Sequence, residues 1–263
     1  DNSNEQYKID FNHIIQKQAL HLIYQINKIR NYQDQLIAIS AIILVGLAYN
    51  DEKNLIFKGL DFLKKNIKYT LDSYGFPKSR NINSAILILK YLILIREWFK
   101  ESQKEIPNFI DENIFYLGQS YAFFWKNINF DPLFNGNNIS NNSEFDLYLK
   151  RLGYSFKNEN SEFSNYVSLK NKRINLIMDT GPSPSKKFSN NYQAGALSFE
   201  FVSNGKKIIT NSGYFNKNSN KLNELSRSSA LHNVLVIDDN SSCKFKKNSN
   251  SEFEIKDGLK ITK

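Results

Sequence analysis

A single cysteine, Cys243, rules out an internal disulfide framework, so the fold has to rest on its apolar core. Nor does the chain contain a Lys/Arg-rich block. Its 35 Lys+Arg and 26 Asp+Glu give a net charge of +9 spread along 263 residues. No interleaved basic–aromatic motif is present either, so no nucleic-acid partner is expected. The positive balance favours an anionic partner, although heavy Lys, Asn and Ile usage also follows from an AT-rich coding bias. The longest apolar stretch, Gln35–Tyr49, falls short of the ~20 residues a bilayer-spanning helix needs, so no membrane span is expected in this chain. There is no phosphate loop, dinucleotide fingerprint or zinc-finger spacing. Ser183 and Ser185 lie among prolines without the turn that exposes a serine nucleophile. Asp1 opens the chain without a charged–apolar–small leader pattern. With a strand-like Leu259–Thr262 at the other end, it reads as an internal piece of a longer protein. The compartment, periplasm or cytoplasm, is left open.

What is present divides in two. A chain of this length buries about 75% of the surface its unfolded form exposes, enough for one large domain or two ordinary ones. Through Tyr7–Arg30, apolar residues at Phe11, Ile15, Ala19, Leu22, Ile26 and Ile29 recur at helical spacing. Asp34 is placed to cap the next helix, Gln35–Tyr49, which is apolar almost all round and reads as buried. The pattern restarts at Asn50-Asp51 and runs through Leu55, Ile56, Leu60, Leu63 and Ile67 to Leu71. A Gly/Pro-containing break, Tyr74–Asn81, interrupts it. Helices then follow over Ser84–Phe99, Asp111–Trp125 and about Ser143–Leu152, the last preceded by an Asn-rich loop, Asn127–Asn142. Alternating amphipathic and wholly apolar helices suggest two helical layers, as in an α/α toroid; an irregular helical domain is the alternative.

From Tyr166 the period changes to two. Strands are expected over Tyr166–Leu169, Ile174–Met178, Ala196–Val202 and Lys206–Thr210, with Asn204-Gly205 turning the last two. In the third of these, Leu197, Phe199 and Phe201 are expected on the inner face, and Ser198 and Glu200 on the outer one. Val234–Ile237 reads as a further, fully apolar strand, and Asp257-Gly258 as the turn joining Phe253–Ile255 to Leu259–Ile261. Helices followed by strands imply an α+β multidomain chain. Residues 1–157 are expected to form a helical portion and 158–263 an antiparallel β-sandwich portion, divided near Lys157–Asn165.

Three spaced blocks stand out in the second half: Gln193–Phe199, Asn211–Gly213 and Ser228–Asp238. In the first half, Ser79-Arg80-Asn81-Ile82, the run Pro132–Gly136 and Asp179–Pro184 add to them. Together these resemble the heparinase II/III-like family of polysaccharide lyases. The resemblance implies a partial α/α toroid, a β-sandwich and an acidic, uronate-containing glycan such as a glycosaminoglycan or alginate. It implies cleavage by β-elimination, or binding and assembly of the glycan by a non-catalytic relative, in an uncharacterised bacterial branch.

Elimination requires a donor that neutralises the uronate carboxylate, and an acid–base pair, typically Tyr and His. Arg80 is the expected carboxylate clamp, since a guanidinium binds bidentately, with Asn81 as companion donor. The opposing reading makes Asn81 or Asn83 a helix cap and Arg80 a solvated charge. Tyr192 and His232 are the remaining catalytic candidates; Asn135, Asn191 and Gln193 join Arg80 as substrate-binding candidates. Arg80→Ala is expected to weaken glycan binding, and His232→Ala to act on stability.

The family's metal ligands would fall at Gln193, Asn211 and His232. Two neutral amides and one imidazole are a poor zinc set, so no metal or other cofactor is expected, and hydrogen bonds stand in its place. The family's catalytic His would fall at Asn191. Its toroid tyrosine has no counterpart near Asn135, where Tyr148 and Tyr154 read as packing residues. His13 and His21, eight apart on the first helix, have no ligand partners in sequence.

Overall fold

In a computed structural model of the chain, residues 2–49, 53–126, 131–138, 143–215, 220–250 and 252–261 are described. Two compact units emerge: Asp1–Leu71 with Leu87–Ile114, and Asp72–Ile86 with Phe115–Lys263.

The first unit is helical. It holds α1 (Asn2–Gln25), α2 (Tyr32–Ala48), α3 (Lys53–Thr70), and most of α4 (Ile82–Glu101). α1 ends at Gln25 and tightens into a 3₁₀ turn at Ile26–Lys28, so the expected helix to Arg30 stops short. Asn31, not Asp34, caps α2: its side-chain oxygen accepts from the Gln33 N–H at 2.9 Å. α2 is not buried on every side, since Ile37 and Leu44 reach the surface while Leu36, Ile39, Ile42, Ile43 and Leu47 fill the core. Phe11, expected on the inner stripe of α1, is exposed. Ala19, Ile42 and Leu55 knit α1, α2 and α3 together. The expected restart at Asn50-Asp51 lies outside the described residues. Among the described residues no helix is long and apolar enough to cross a membrane.

The second unit carries the sheet. α5 (Asn108–Tyr121) runs into it and continues as a π turn, and α6 (Ser143–Arg151) follows. Five antiparallel strands lie in chain order: β1 (Glu162–Phe163), β2 (Tyr166–Lys170), β3 (Ile174–Asp179), β4 (Phe199–Ser203) and β5 (Lys206–Ile209). A separate two-stranded sheet pairs β6 (Lys244–Lys247) with β7 (Phe253–Asp257). Between the two sheets in sequence lies a short helix, α7 (Asn220–Ser226). Helices followed by antiparallel strands match the expected α+β order.

Several strand expectations are corrected. β4 begins at Phe199 because Leu197 takes a positive φ of 61° in a turn. The faces are the reverse of those expected: Ser198, Glu200 and Val202 are buried, Phe199 and Phe201 half-buried and Leu197 exposed. An inward Glu200 is tolerated because Thr210 Oγ1 (3.0 Å) and the Asn211 N–H (3.1 Å) donate to Oε1. Lys207 Nζ sits 2.6 Å from Oε2 as an ion pair without hydrogen-bond alignment. Val234–Ile237 is not a strand. Its only ladder feature is an isolated bridge from Ile237 to Asn240, and Leu235 is 82% exposed. The hairpin at the end pairs β7 with β6 rather than with Leu259–Ile261; the Leu259 N–H instead donates to Ser183 Oγ at 2.9 Å.

Beneath the sheet, Phe76, Phe124 and Phe134 pack edge-on around Tyr166, with ring centroids 5.9, 4.8 and 5.6 Å from it. This aromatic cluster is the floor on which the polar site rests.

Candidate functional site

The turn before α4 places Arg80 and Asn81 in the second unit. Arg80 has φ 59°, uncommon for a side chain with a Cβ, and its N–H closes the turn on the Pro77 carbonyl at 2.8 Å. The side chain goes inward, not into solvent. Nη2 meets Asp179 Oδ1 at 2.5 Å, and the guanidinium lies 4.7 Å over the Tyr166 ring. Asp179 Oδ1 also accepts from the Gly181 N–H (3.0 Å), and Oδ2 from Asn135 Nδ2 (2.7 Å). Asn135 Nδ2 reaches Tyr166 Oη at 2.8 Å, and that hydroxyl donates to the Arg80 carbonyl at 3.3 Å. Gly181 is required here by space, since a Cβ would run into the guanidinium.

Burial works against the Arg80 charge, but the fields of Tyr166 and Asp179 outweigh it and raise its pKa. Tyr166 is pushed up, first by burial and then by Asp179. Arg80 and Asn135 are therefore brought together, with a carboxylate of the chain itself in the guanidinium's grip. Sequence reasoning missed Asp179 as the partner; the only signal was its position at the end of an apolar strand.

Asn81 does cap α4: its Oδ1 accepts from the Ser84 N–H at 3.0 Å. That leaves the amide nitrogen as a donor. It lies beside Gly136, where a Cβ would stand 2.7 Å from Asn81 Nδ2 and 2.8 Å from the Asn191 Cβ. Gly136 also has φ +85°, so both space and backbone demand glycine. Asn191 is arranged in the same way. Its Oδ1 accepts from the Tyr214 hydroxyl at 3.1 Å, which leaves its amide nitrogen as a donor. Tyr214 Oη in turn accepts from Asn223 Nδ2 (2.9 Å) and from Arg227 Nη2 (2.8 Å). The Asn81 amide nitrogen thus faces Gly136 together with the backbone carbonyl and Cβ of Asn191, 2.6 and 2.8 Å from where a Cβ would stand.

Gln193 is fully engaged. Its Oε1 accepts from the Gly136 N–H (3.0 Å), and its Nε2 donates to the carbonyls of Gly213 (2.9 Å) and Ser226 (2.6 Å). His232 Nε2 is 3.2 Å from the same Ser226 carbonyl, and Nδ1 is 3.4 Å from Asn211 Oδ1. Asn211 Nδ2 is buried and has no hydrogen-bond partner among the described residues. Turning the Asn211 amide over gives Nδ1 a donor and leaves a neutral imidazole with its proton on Nε2.

Tyr192 is buried, its pKa pushed up foremost by burial and then by Asp179. The expected site residues thus form two adjoining clusters, one around Asp179 and one around Gly136 and His232. His13 and His21 lie on α1 in the first unit.

The Gln193, Asn211 and His232 set does not fit a metal ion. The Gln193 oxygen is taken by an N–H, and its nitrogen donates to the carbonyls of Gly213 and Ser226, so neither atom is free for a metal. Among the described residues no three His, Cys, Asp or Glu side chains gather as ligands.

His232 has its pKa pushed down to about 4, foremost by burial, against the upward pull of the Ser226 carbonyl. A lowered imidazole pKa means that the unfolded chain takes up the proton first. The stability it contributes is present above the unfolded value of 6.5 and is lost as the pH falls towards about 4. Urea melts across that window should show this loss in the native sequence and a flatter profile in His232→Gln. Equal slopes in the two proteins would refute it.

Residues 160–257 match the family model described as heparinase II/III-like, C-terminal. No curated protein matches the chain. Among solved structures, heparinase III superposes with a TM-score of 0.68 at 18% identity, covering 88% of this chain and 43% of that one. A heparan sulfate lyase mutant from Pedobacter heparinus gives 0.71 at 16%, covering 89% and 42%. A heparinase III gene product with methylated lysines gives 0.73 at 15%, covering 86% and 39%. The chain spans less than half the length of each. These likenesses establish the fold, a portion of the toroid-plus-sandwich architecture of heparinase III.

Proposed function

We propose that this heparinase II/III-like chain is part of a polysaccharide-lyase relative that binds an acidic, uronate-containing glycan, a glycosaminoglycan in the first instance, without eliminating it. The observation that carries the reading is the amide pair beside Gly136. The side-chain oxygens of Asn81 and Asn191 are committed to the Ser84 N–H and the Tyr214 hydroxyl, so each side-chain amide is left with its N–H donors, beside the Asn191 backbone carbonyl. A carboxylate accepts such donors, and the buried Arg227 behind Tyr214 adds favourable potential. Arg80 acts from behind as a positioning residue, holding Asp179 and through it Asn135.

Against elimination stand the candidate bases. Tyr166 and Tyr192 are buried with raised pKa values, and the His232 ring is hydrogen-bonded within the fold. A base poised near neutral pH is therefore wanting in this set. The second reading, β-elimination, is favoured by the likeness to lyase structures of which the chain spans under half. An acid–base pair would then come from elsewhere in the protein.

Incubation of the full-length protein with heparin, alginate and hyaluronan separates the two readings. Binding without a rise in ultraviolet absorbance from unsaturated uronate is the expected result; a rise would install the second reading, and no binding would end both. Asn81→Asp keeps an oxygen for the α4 cap and replaces the donor by a like charge. It should weaken glycan binding by about 1.5–3 kcal/mol, the scale of a hydrogen bond to a charged group, with the melting temperature nearly unchanged. Asn191→Ala should fall in the same range.

A further inference from the structure

A groove elsewhere in the same unit has different chemistry. A groove of about 840 Å³ is lined by residues 73–74, 115–116, 119, 158, 160, 162–167 and 180. None of Arg80, Asn81, Asn135, Asn191, Gln193 or His232 is among them. Neither is any lysine or arginine, although the chain holds 35. One edge carries three aromatic rings turned to solvent: Tyr74 is 61% exposed, Phe115 57% and Tyr116 40%. Phe115 and Tyr116 meet edge to face, with centroids 5.6 Å apart. The lining also includes the exposed amides of Asn160 and Asn165 and the hydroxyl of Thr180.

The lining is tied together by hydrogen bonds. Asp72 Oδ1 accepts from the N–H groups of Tyr74 (2.8 Å) and Phe76 (2.9 Å), and its Oδ2 from Ser164 Oγ (3.0 Å). Asn158 Nδ2 donates to the Gln119 carbonyl at 3.1 Å. Ser164 and Asn165 both take positive φ, 45° and 61°, in the turn between β1 and β2. A groove cross-linked in this way is preformed and loses little freedom when filled.

We infer that this groove is a saccharide subsite for uncharged sugar rings. A pyranose ring is apolar on its C–H face, which suits an exposed aromatic ring, and its hydroxyls both donate to and accept from side-chain amides. An acidic sugar is disfavoured, because the described lining residues include no cation and include the carboxylate of Glu162. The inference does not rest on the amide pair beside Gly136, and the test reads the two sites separately.

Calorimetric titration of the intact protein with cellohexaose, chitohexaose and a heparin hexasaccharide, each at low and high salt, is the experiment. At least one neutral hexasaccharide should bind with an affinity that salt leaves unchanged. Tyr74→Ala and Tyr116→Ala should each weaken that binding about five- to tenfold, while Asn81→Asp leaves it unaltered. Tyr74 is exposed enough that its removal spares the fold, and circular dichroism checks this. No binding of either neutral sugar, binding indifferent to both tyrosines, or a salt-sensitive preference of the tyrosine edge for the heparin hexasaccharide would each overturn the inference. Loss of heparin binding alone in Asn81→Asp bears on the carboxylate site and not on this one.

Discussion

Asp179→Ala is expected to lower the unfolding free energy by about 3–5 kcal/mol, because it strands the buried Arg80 guanidinium. Both partners are almost fully inaccessible, so water cannot take over the lost interaction. The same change also takes the acceptor from the Gly181 N–H and one of two from Asn135 Nδ2, which keeps Tyr166 Oη. Urea denaturation read by fluorescence measures the effect. Arg80→Met in the Asp179→Leu background should recover much of the loss, since two apolar side chains replace a buried pair at little cost. If Asp179→Ala melts within 1 kcal/mol of the native chain, on the ~1 kcal/mol scale of an ordinary substitution, the pair is not what holds this turn to the sheet.

The second large effect belongs to Arg227. Its guanidinium is buried, and burial foremost lowers its pKa. Yet it is satisfied by neutral acceptors: Asn223 Oδ1, the Tyr192 and Asn190 carbonyls, and Tyr214 Oη. It also lies 4.5 Å from the Phe253 centroid and 5.3 Å from that of Tyr214. Arg227→Ala opens a cavity and frees several buried acceptors at once, so about 3–5 kcal/mol should be lost. Arg227→Lys should recover only a minor part, because an ammonium cannot match the planar fork. A lysine variant as stable as the native chain would show that charge alone matters there.

Much of the helical half was legible because its signals are local. Apolar residues at helical spacing marked α1 to α4, and Gly75 and Pro77 marked the break. The strands were read less well. Ala196–Val202 alternates, but the pattern does not say which face is inside, and here Ser198, Glu200 and Val202 are the buried ones. Val234–Ile237 has the composition of a strand. However, Asn233 places its side-chain amide on both the N–H and the carbonyl of Phe199, at 2.8 and 2.5 Å, occupying β4 backbone groups there. β6 went unread because its lysines and one phenylalanine carry little apolar signal.

At the site, Asn81 was read as both donor and cap, and its two ends serve both purposes. The partner of Arg80 was out of reach: Asp179 is 99 positions away, and no local pattern links the two.

The inward carboxylate of Glu200 has a consequence for how the sheet assembles. A one-residue slip of β4 against its neighbours would carry Glu200 to the wet face and bring Phe201 in. In a wholly apolar strand such a slip exchanges one hydrophobe for another and is forgiven. Here it would part Glu200 from Lys207, Thr210 and the Asn211 N–H together, leaving several polar groups unmatched. The acid that looks out of place thus acts as a key for alignment: a misthreaded β4–β5 hairpin is heavily penalised, and only one threading of this edge is open to the folding chain.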